Sequence, residues 1–176
     1  MQGLELAKPS AEYLEQIAAY RLEFLQAGDS MDGTASLIKY ENPKDWLEWL
    51  ALTSKPETCP KGLVPNSQFL CVRVPDRRVV GMIEIRHTLN DYLLRFGGHI
   101  GYSIRPSERR KGYAKEQLRL ALALCGGLGL RRVLITCDAA NEASRRTILS
   151  AGGKLENEVL EPSARAIVQR YWVNCP

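Results

Sequence analysis

At 176 residues, with 45% apolar and 25% charged side chains, the chain has the length and mixture of one globular domain that buries a core unaided, which excludes disordered, collagenous and coiled-coil classes. Its net charge of +4 and isoelectric point near 8.8 fall short of the basic footprint of a dedicated nucleic-acid domain. Met1-Gln2-Gly3-Leu4-Glu5 is no signal-peptide start, and the longest uncharged apolar run, Leu120 to Leu130, is 11 residues against about 20 for a membrane span, so no export signal and no membrane partner are expected.

A short strand is predicted over Leu4 to Ala7. Pro9-Ser10 then opens a helix with Leu14, Ile17, Ala18, Leu22 and Leu25 at helical spacing, stopped by Gly28. Residues 28 to 42 read as a polar loop. Asn42-Pro43 is an N-cap followed by proline at the first helical position, so a second helix carries Trp46, Trp49 and Leu50. After a proline-bearing connector, Phe69 to Val74 and Val79 to His87 form a hairpin across Pro75-Asp76-Arg77-Arg78. Residues 88 to 97 are an excursion.

His99 to Ile104 is the next strand, with Ile100, Tyr102 and Ile104 on one face and His99, Gly101 and Ser103 on the other. Gly101 within it points to a bulge or a close backbone approach. A helix starts near Gly112 and ends at Gly126-Gly127, Val133 to Cys137 is a strand covered on both faces, and Asn141 to Ser150 is a short helix. Two strands close the chain. The expected architecture is a single α/β domain over residues 1–176, with a mixed, mostly antiparallel sheet of about seven strands and about four helices.

Five cysteines (Cys59, Cys71, Cys125, Cys137, Cys175) leave one unpaired under any disulfide scheme, and none has C-x-x-C spacing. A reducing, cytoplasmic setting fits, with Cys71, Cys125 and Cys137 as small buried hydrophobes. Only His87 and His99 are present, so no metal site is expected. A P-loop is excluded because G-x-x-x-x-G-K-[ST] is missing.

The informative segment is Ile104-Arg105-Pro106-Ser107-Glu108-Arg109-Arg110-Lys111-Gly112-Tyr113-Ala114. A strand ends, a basic turn follows, a glycine lets a ligand approach the backbone, and a helix begins with unpaired N–H groups. From Arg105 to Arg119 there are six Lys/Arg against two Glu, clustered where cations oppose the helix dipole unless an anion arrives. A solvated charged loop is the competing reading, but it leaves the glycine and the preceding strand without a reason.

Arg109-Arg110-Lys111-Gly112-Tyr113-Ala114 matches [Q/R]-x-x-G-x-[G/A], follows Ile104-Arg105-Pro106, and precedes Asn141 at a helix start with a Gly152-Gly153 stop. On these residues and the element order, the chain resembles the GNAT superfamily of N-acetyltransferases along nearly its whole length. Gly97-Gly98-His99-Ile100-Gly101-Tyr102 with Arg170-Tyr171-Trp172 is similar to a bacterial-type branch. The resemblance implies acetyl-CoA as co-substrate, its pyrophosphate on the backbone of Arg109, Arg110, Lys111, Gly112, Tyr113 and Ala114, and its pantetheine beside the strand ending at Ile104. It further implies that Asn141 and Ser144 contact the cofactor arm, although Asn141 also reads as a plain helix cap. Arg145 and Arg146 could reach the 3′-phosphate or simply be solvated.

Acyl transfer to an amine needs a base, because an alkyl ammonium has a pKa near 10. Glu84, flanked by Met82, Ile83 and Ile85, is the first candidate, against the alternative that it points to solvent or pairs with Arg86 or Arg73. His99 is the second, against a role as a hydrogen-bonded core histidine. The backbone N–H of Ile104 is a candidate oxyanion donor. Many family members carry a tyrosine seven residues after the helix-start Asn as acid for the departing thiolate, whereas Ile148 stands here. Tyr102 and Tyr113 are nearby but receive no role. The expected acceptor is a small-molecule or peptide amine bound by residues 28 to 42, 56 to 67 and 88 to 97, with a monomer or homodimer as the working unit. A catalytically silent acyl-CoA sensor and a basic nucleic-acid module are the alternatives, the latter lacking interleaved aromatics.

Overall fold

The computed structural model describes residues 3–176. β1 (Leu4–Ala7) leads into α1 (Leu14–Ala27), and α2 (Pro43–Thr53) follows. Then come β2 (Asn66–Arg73), β3 (Arg78–Arg86), β4 (Ile100–Ile104), α3 (Tyr113–Gly127), β5 (Arg132–Asp138), α4 (Glu142–Ser150), β6 (Lys154–Glu161) and β7 (Ala166–Asn174). The strands form one seven-stranded sheet in the order β1-β2-β3-β4-β5-β7-β6. Every neighbouring pair is antiparallel except β4 and β5. Parallel strands need a long crossover, which α3 supplies.

Alternation along the strands builds a core on each face of the sheet. On one face, Ile17, Tyr20 and Phe24 of α1 and Trp46 of α2 pack on Leu70, Val72 and Met82. On the other, Leu118, Ala121 and Leu122 of α3 and Ile148 of α4 pack on Ile83, Ile85, Ile100, Val133, Ile135 and Tyr171. The free cysteines Cys71, Cys125 and Cys137 are buried among these apolar side chains.

Two expectations need correction. The buried stripe of α1 is aromatic rather than leucine-lined: Ile17 is buried as expected, but Leu22 and Leu25 are 53% and 44% exposed, whereas Tyr20 and Phe24 are buried. Both stripes have helical spacing, and the aromatic one wins because it buries more area and sets the Tyr20 hydroxyl on Ser103 Oγ at 3.0 Å. Residues 28 to 42 are not simply a polar loop, since Met31, Thr34, Ala35 and Leu37 are buried and the Trp46 indole donates to the Thr34 carbonyl at 2.9 Å. Among the described residues no helix is long and apolar enough to cross a membrane.

Candidate active site

β4 and β5 pair at a single position, Ile100 with Ile135, and then diverge. Backbone groups of successive strand residues point to opposite edges. Arg105 N–H bonds the Val80 carbonyl on β3 at 2.9 Å, while the Ile104 carbonyl accepts from Arg109 Nε at 3.1 Å instead of joining that ladder. The alternation therefore turns the N–H groups of Tyr102 and Ile104 toward the opening between β4 and β5. A peptide-like chain entering there would find the edge of a strand with its donors free.

The same opening faces the start of α3. Gly112 is its N-cap with φ 83°, no side chain caps the helix, and among the described residues no protein acceptor takes the backbone N–H groups from Arg110 to Ala114. A Cβ at Gly112 would meet nothing within 4 Å, so the space over the turn is open. Unpaired donors and the positive helix end together form a cradle for phosphate oxygens.

The basic side chains are arranged differently from their backbones. Arg109 is turned back toward α1, 2.6 Å from Asp29 and over the Phe24 ring, and its hydrogen bond holds the Asp29 carboxyl below the usual range. Lys111, Arg73 and Arg78 converge on Glu108 at 2.8, 3.0 and 2.7 Å. Burial alone would raise the Glu108 carboxyl, but the Lys111 hydrogen bond and the three cationic charges outweigh it and hold it low. Tyr113 Oη accepts from Arg73 at 3.1 Å. Thus Glu108, not singled out from the sequence, anchors the turn from below and leaves its backbone to face the ligand. Arg145 and Arg146 both pair with Glu142 on their own helix.

On the α1 and α2 face, Gln68, Glu84 and Gly101 lie in one row across β2, β3 and β4. Gly33 seats on this row: a Cβ on Gly101 would be 3.1 Å from Gly33 Cα, the close backbone approach expected there. Gln68 Nε2 donates to the Gly33 carbonyl at 3.0 Å. Glu84 is 7% exposed, and its Oε2 accepts from Arg86 at 2.8 Å, the pairing weighed against a base role. Arg86 also donates to the carbonyls of Gly97 and Gly98, tying the carboxylate to the end of the 88 to 97 excursion.

His99 sits where β4 meets β5. Its backbone N–H donates to the Leu134 carbonyl at 2.7 Å, and its Nδ1 accepts from Leu134 N–H at 2.9 Å. A neutral ring so held carries its proton on Nε2 and keeps no lone pair for a substrate. Burial, with the Arg86 charge beside it, lowers its pKa. The 88 to 97 excursion contains a short helical turn, Leu93–Gly97, and closes this face where the Phe96 carbonyl accepts from Thr136 Oγ1 at 2.8 Å.

On the opposite face, Asn141 caps α4 through Oδ1, which accepts from Ser144 N–H at 3.0 Å. Ser144 Oγ is 2.9 Å from Tyr102 Oη, a tether across the β4 and β5 opening that sequence spacing does not reveal. Ile148 is fully buried in the core. Among the described residues no cluster could hold a metal ion.

A family model described as an acetyltransferase (GNAT) domain matches residues 15–154. The chain belongs to the GNAT acetyltransferase family. No curated protein sequence matches it, whereas several solved structures do. RimJ from Mycobacterium smegmatis, in complex with CoA-disulfide, aligns with TM-score 0.72 at 17% identity, covering 97% of this chain and 81% of that one. The ribosomal-protein-S5-alanine acetyltransferase from Vibrio fischeri gives 0.68 at 16%, covering 98% and 92%. A chimera of spermidine N-acetyltransferase SpeG from Vibrio cholerae and hSSAT gives 0.65 at 16%, covering 99% and 96%. These likenesses establish the GNAT fold, and membership of the family supports acyl transfer as the chemistry.

Proposed function

We propose that this chain transfers an acetyl group from acetyl-CoA to an amine by direct attack within a ternary complex. The observation that carries the reading is the run of unpartnered backbone N–H groups from Arg110 to Ala114 at the mouth of the β4 and β5 opening. The first feature suits a pyrophosphate and the second an amide-bearing arm, in the order that coenzyme A presents them. Solved GNAT structures in complex with CoA-disulfide or with acetyl-CoA and AMP are consistent with this donor.

When bound, acetyl-CoA supplies an activated acyl group on sulfur. The residues of the chain do the rest. The N–H groups of residues 110 to 114 hold the phosphates, Asn141 and Ser144 steady the arm at the α4 start, and the Tyr102 and Ile104 N–H groups bond along it. The Ile104 N–H, or that of Tyr102 beside it, is placed to meet negative charge developing on the acyl oxygen. Glu84, in the row beneath Gly33 and Gly101, takes the amine proton. His99 does not serve as the base, because the Leu134 N–H occupies its acceptor nitrogen. The acceptor enters from the α1 and α2 face, between residues 28 to 42 and the 88 to 97 excursion, which wall the row containing Glu84.

Incubation with labelled acetyl-CoA and a panel comprising a polyamine, a free amino acid and peptides with a free N-terminus or lysine tests the reading. Amine-dependent CoA release with an N-acetyl product is expected. Binding of acetyl-CoA without turnover on any class would instead make the chain an acyl-CoA sensor.

A further inference from the structure

Consecutive strand residues point to opposite faces of a sheet. On β4, Gly101 faces α1 and α2 together with Glu84, and Tyr102 faces α3 and α4 together with Ile83. A thioester in the opening would thus have the base on one side and the Tyr102 ring on the other. The N–H cradle at the α3 start lies beyond Ile104, so an arm running back from it along β4 would end toward the Ile100 and Ile135 closure, at the level of Tyr102. From β4 the Tyr102 side chain reaches the first turn of α4, its hydroxyl 2.9 Å from Ser144 Oγ and 3.3 Å from the Ser144 carbonyl.

From the geometry we infer that the Tyr102 hydroxyl donates a hydrogen bond to the sulfur of coenzyme A and stabilises it as the leaving thiolate. This rests on the acetyl-CoA reading above. As nitrogen bonds to the acyl carbon, the C–S bond breaks and its electron pair goes to sulfur, while the nitrogen's proton goes to the base. Tyr102 donates to that sulfur, and Ser144 Oγ turns to donate into Tyr102 Oη.

The proton stays on the phenol. Burial pushes the Tyr102 hydroxyl up to about 12, against about 8.5 for an ordinary thiol, so Tyr102 acts as a fixed donor and solvent later protonates the thiolate. The titratable groups around it support a constant environment near neutral pH. Cys137 on β5 is pushed by burial up to about 11. Glu142 and Arg145 on α4 pair with each other. Asp138 accepts from Ala140 N–H, and α3 adds Leu118, Ala121, Leu122 and Cys125, the last pushed up to about 12.

The test is calorimetric binding of CoA and of desulfo-CoA, which lacks the thiol, as pH is raised through the thiol range. For the wild type, CoA should gain roughly tenfold over desulfo-CoA, which corresponds to a bound thiol about one pH unit more acidic than free CoA. Tyr102→Phe should abolish the gain while binding desulfo-CoA as tightly as before. A wild type with no gain, or a Phe variant that keeps it, overturns the assignment. Failure of both ligands to bind the wild type would sink the acetyl-CoA reading itself. Should the Phe variant not fold, a fluorotyrosine placed at 102 decides. Its fluorine resonance must differ between the CoA and desulfo-CoA complexes at high pH, and identical spectra refute the contact.

Discussion

Replacing Gly33 by alanine probes the seat that joins the 28 to 42 segment to the proposed acceptor face. The added Cβ would lie 2.1 Å from the Gly101 carbonyl oxygen and 2.3 Å from Tyr102 N, and Gly33 has φ 66°. Neither neighbour is a flexible side-chain tip, so the segment must lift from β4. Lifting endangers the bonds from Gln68 to Gly33 O, from Ser103 to Asp32 O and from Trp46 to Thr34 O, each worth about 1 kcal/mol net. The left-handed backbone adds about 1–2 kcal/mol, for about 4 kcal/mol in all, a large share of the roughly 5–15 kcal/mol that holds a domain together. Gly28→Ala is the control, because Gly28 has φ 61° but nothing within 4 Å of its Cβ, so only the backbone cost of about 1–2 kcal/mol applies. In urea unfolding with a slope of about 2 kcal/mol per molar, the Gly33 variant should lose about 2 M in midpoint and the Gly28 variant about 0.5–1 M. Equal losses would refute the seat as described.

Glu84→Gln should lower turnover with an identified amine by about 10²-fold or more while acetyl-CoA affinity holds, and the loss should shrink as pH rises toward the amine's own pKa; an unchanged rate at neutral pH would move proton removal to solvent or a loop residue. His99→Ala should leave that pH pattern intact but cost about 1–3 kcal/mol by stranding the buried Leu134 N–H, a loss read by the same urea titration. His99 and His87 both have folded pKa values lowered by burial, so the stability they contribute is complete above about pH 6.5 and drains as pH falls through the lowered values. Glu108 is also held low and adds a second loss below about pH 4; a flat thermal midpoint from pH 7 to 3 would contradict both assignments.

The strands were legible because alternation and turn residues mark them locally: Leu4–Ala7 and the hairpin over Pro75 to Arg78 fall where patterning put them. The phosphate cradle was legible for a related reason, since glycine after a basic turn at a helix start is a local signal. The α1 face was legible only at Ile17, because two stripes share one period and only tertiary contact chooses between them. Long-range partners were not legible at all. Glu108 looked like one more charge in a basic loop, yet it collects cations from β2, β3 and the turn. Tyr102 and Ser144 are 42 residues apart and meet only in the folded chain, where α4 is brought beside β4. The bond from Leu134 to His99 Nδ1, which decides the histidine's role, depends on strand register.

The central claim is that acetyl-CoA binds on the α3 start. The most direct measurement is the thermal midpoint of the wild type and Gly112→Val against rising acetyl-CoA. A Cβ there meets no protein atom within 4 Å, so the free variant should unfold only slightly earlier, by the cost of a side chain at φ 83°. The wild-type midpoint should climb with ligand concentration as RT ln(1 + [L]/Kd) requires, and the variant's should not move, because its side chain fills the approach to the phosphates. A variant stabilised by acetyl-CoA to the same extent as the wild type would contradict the claim.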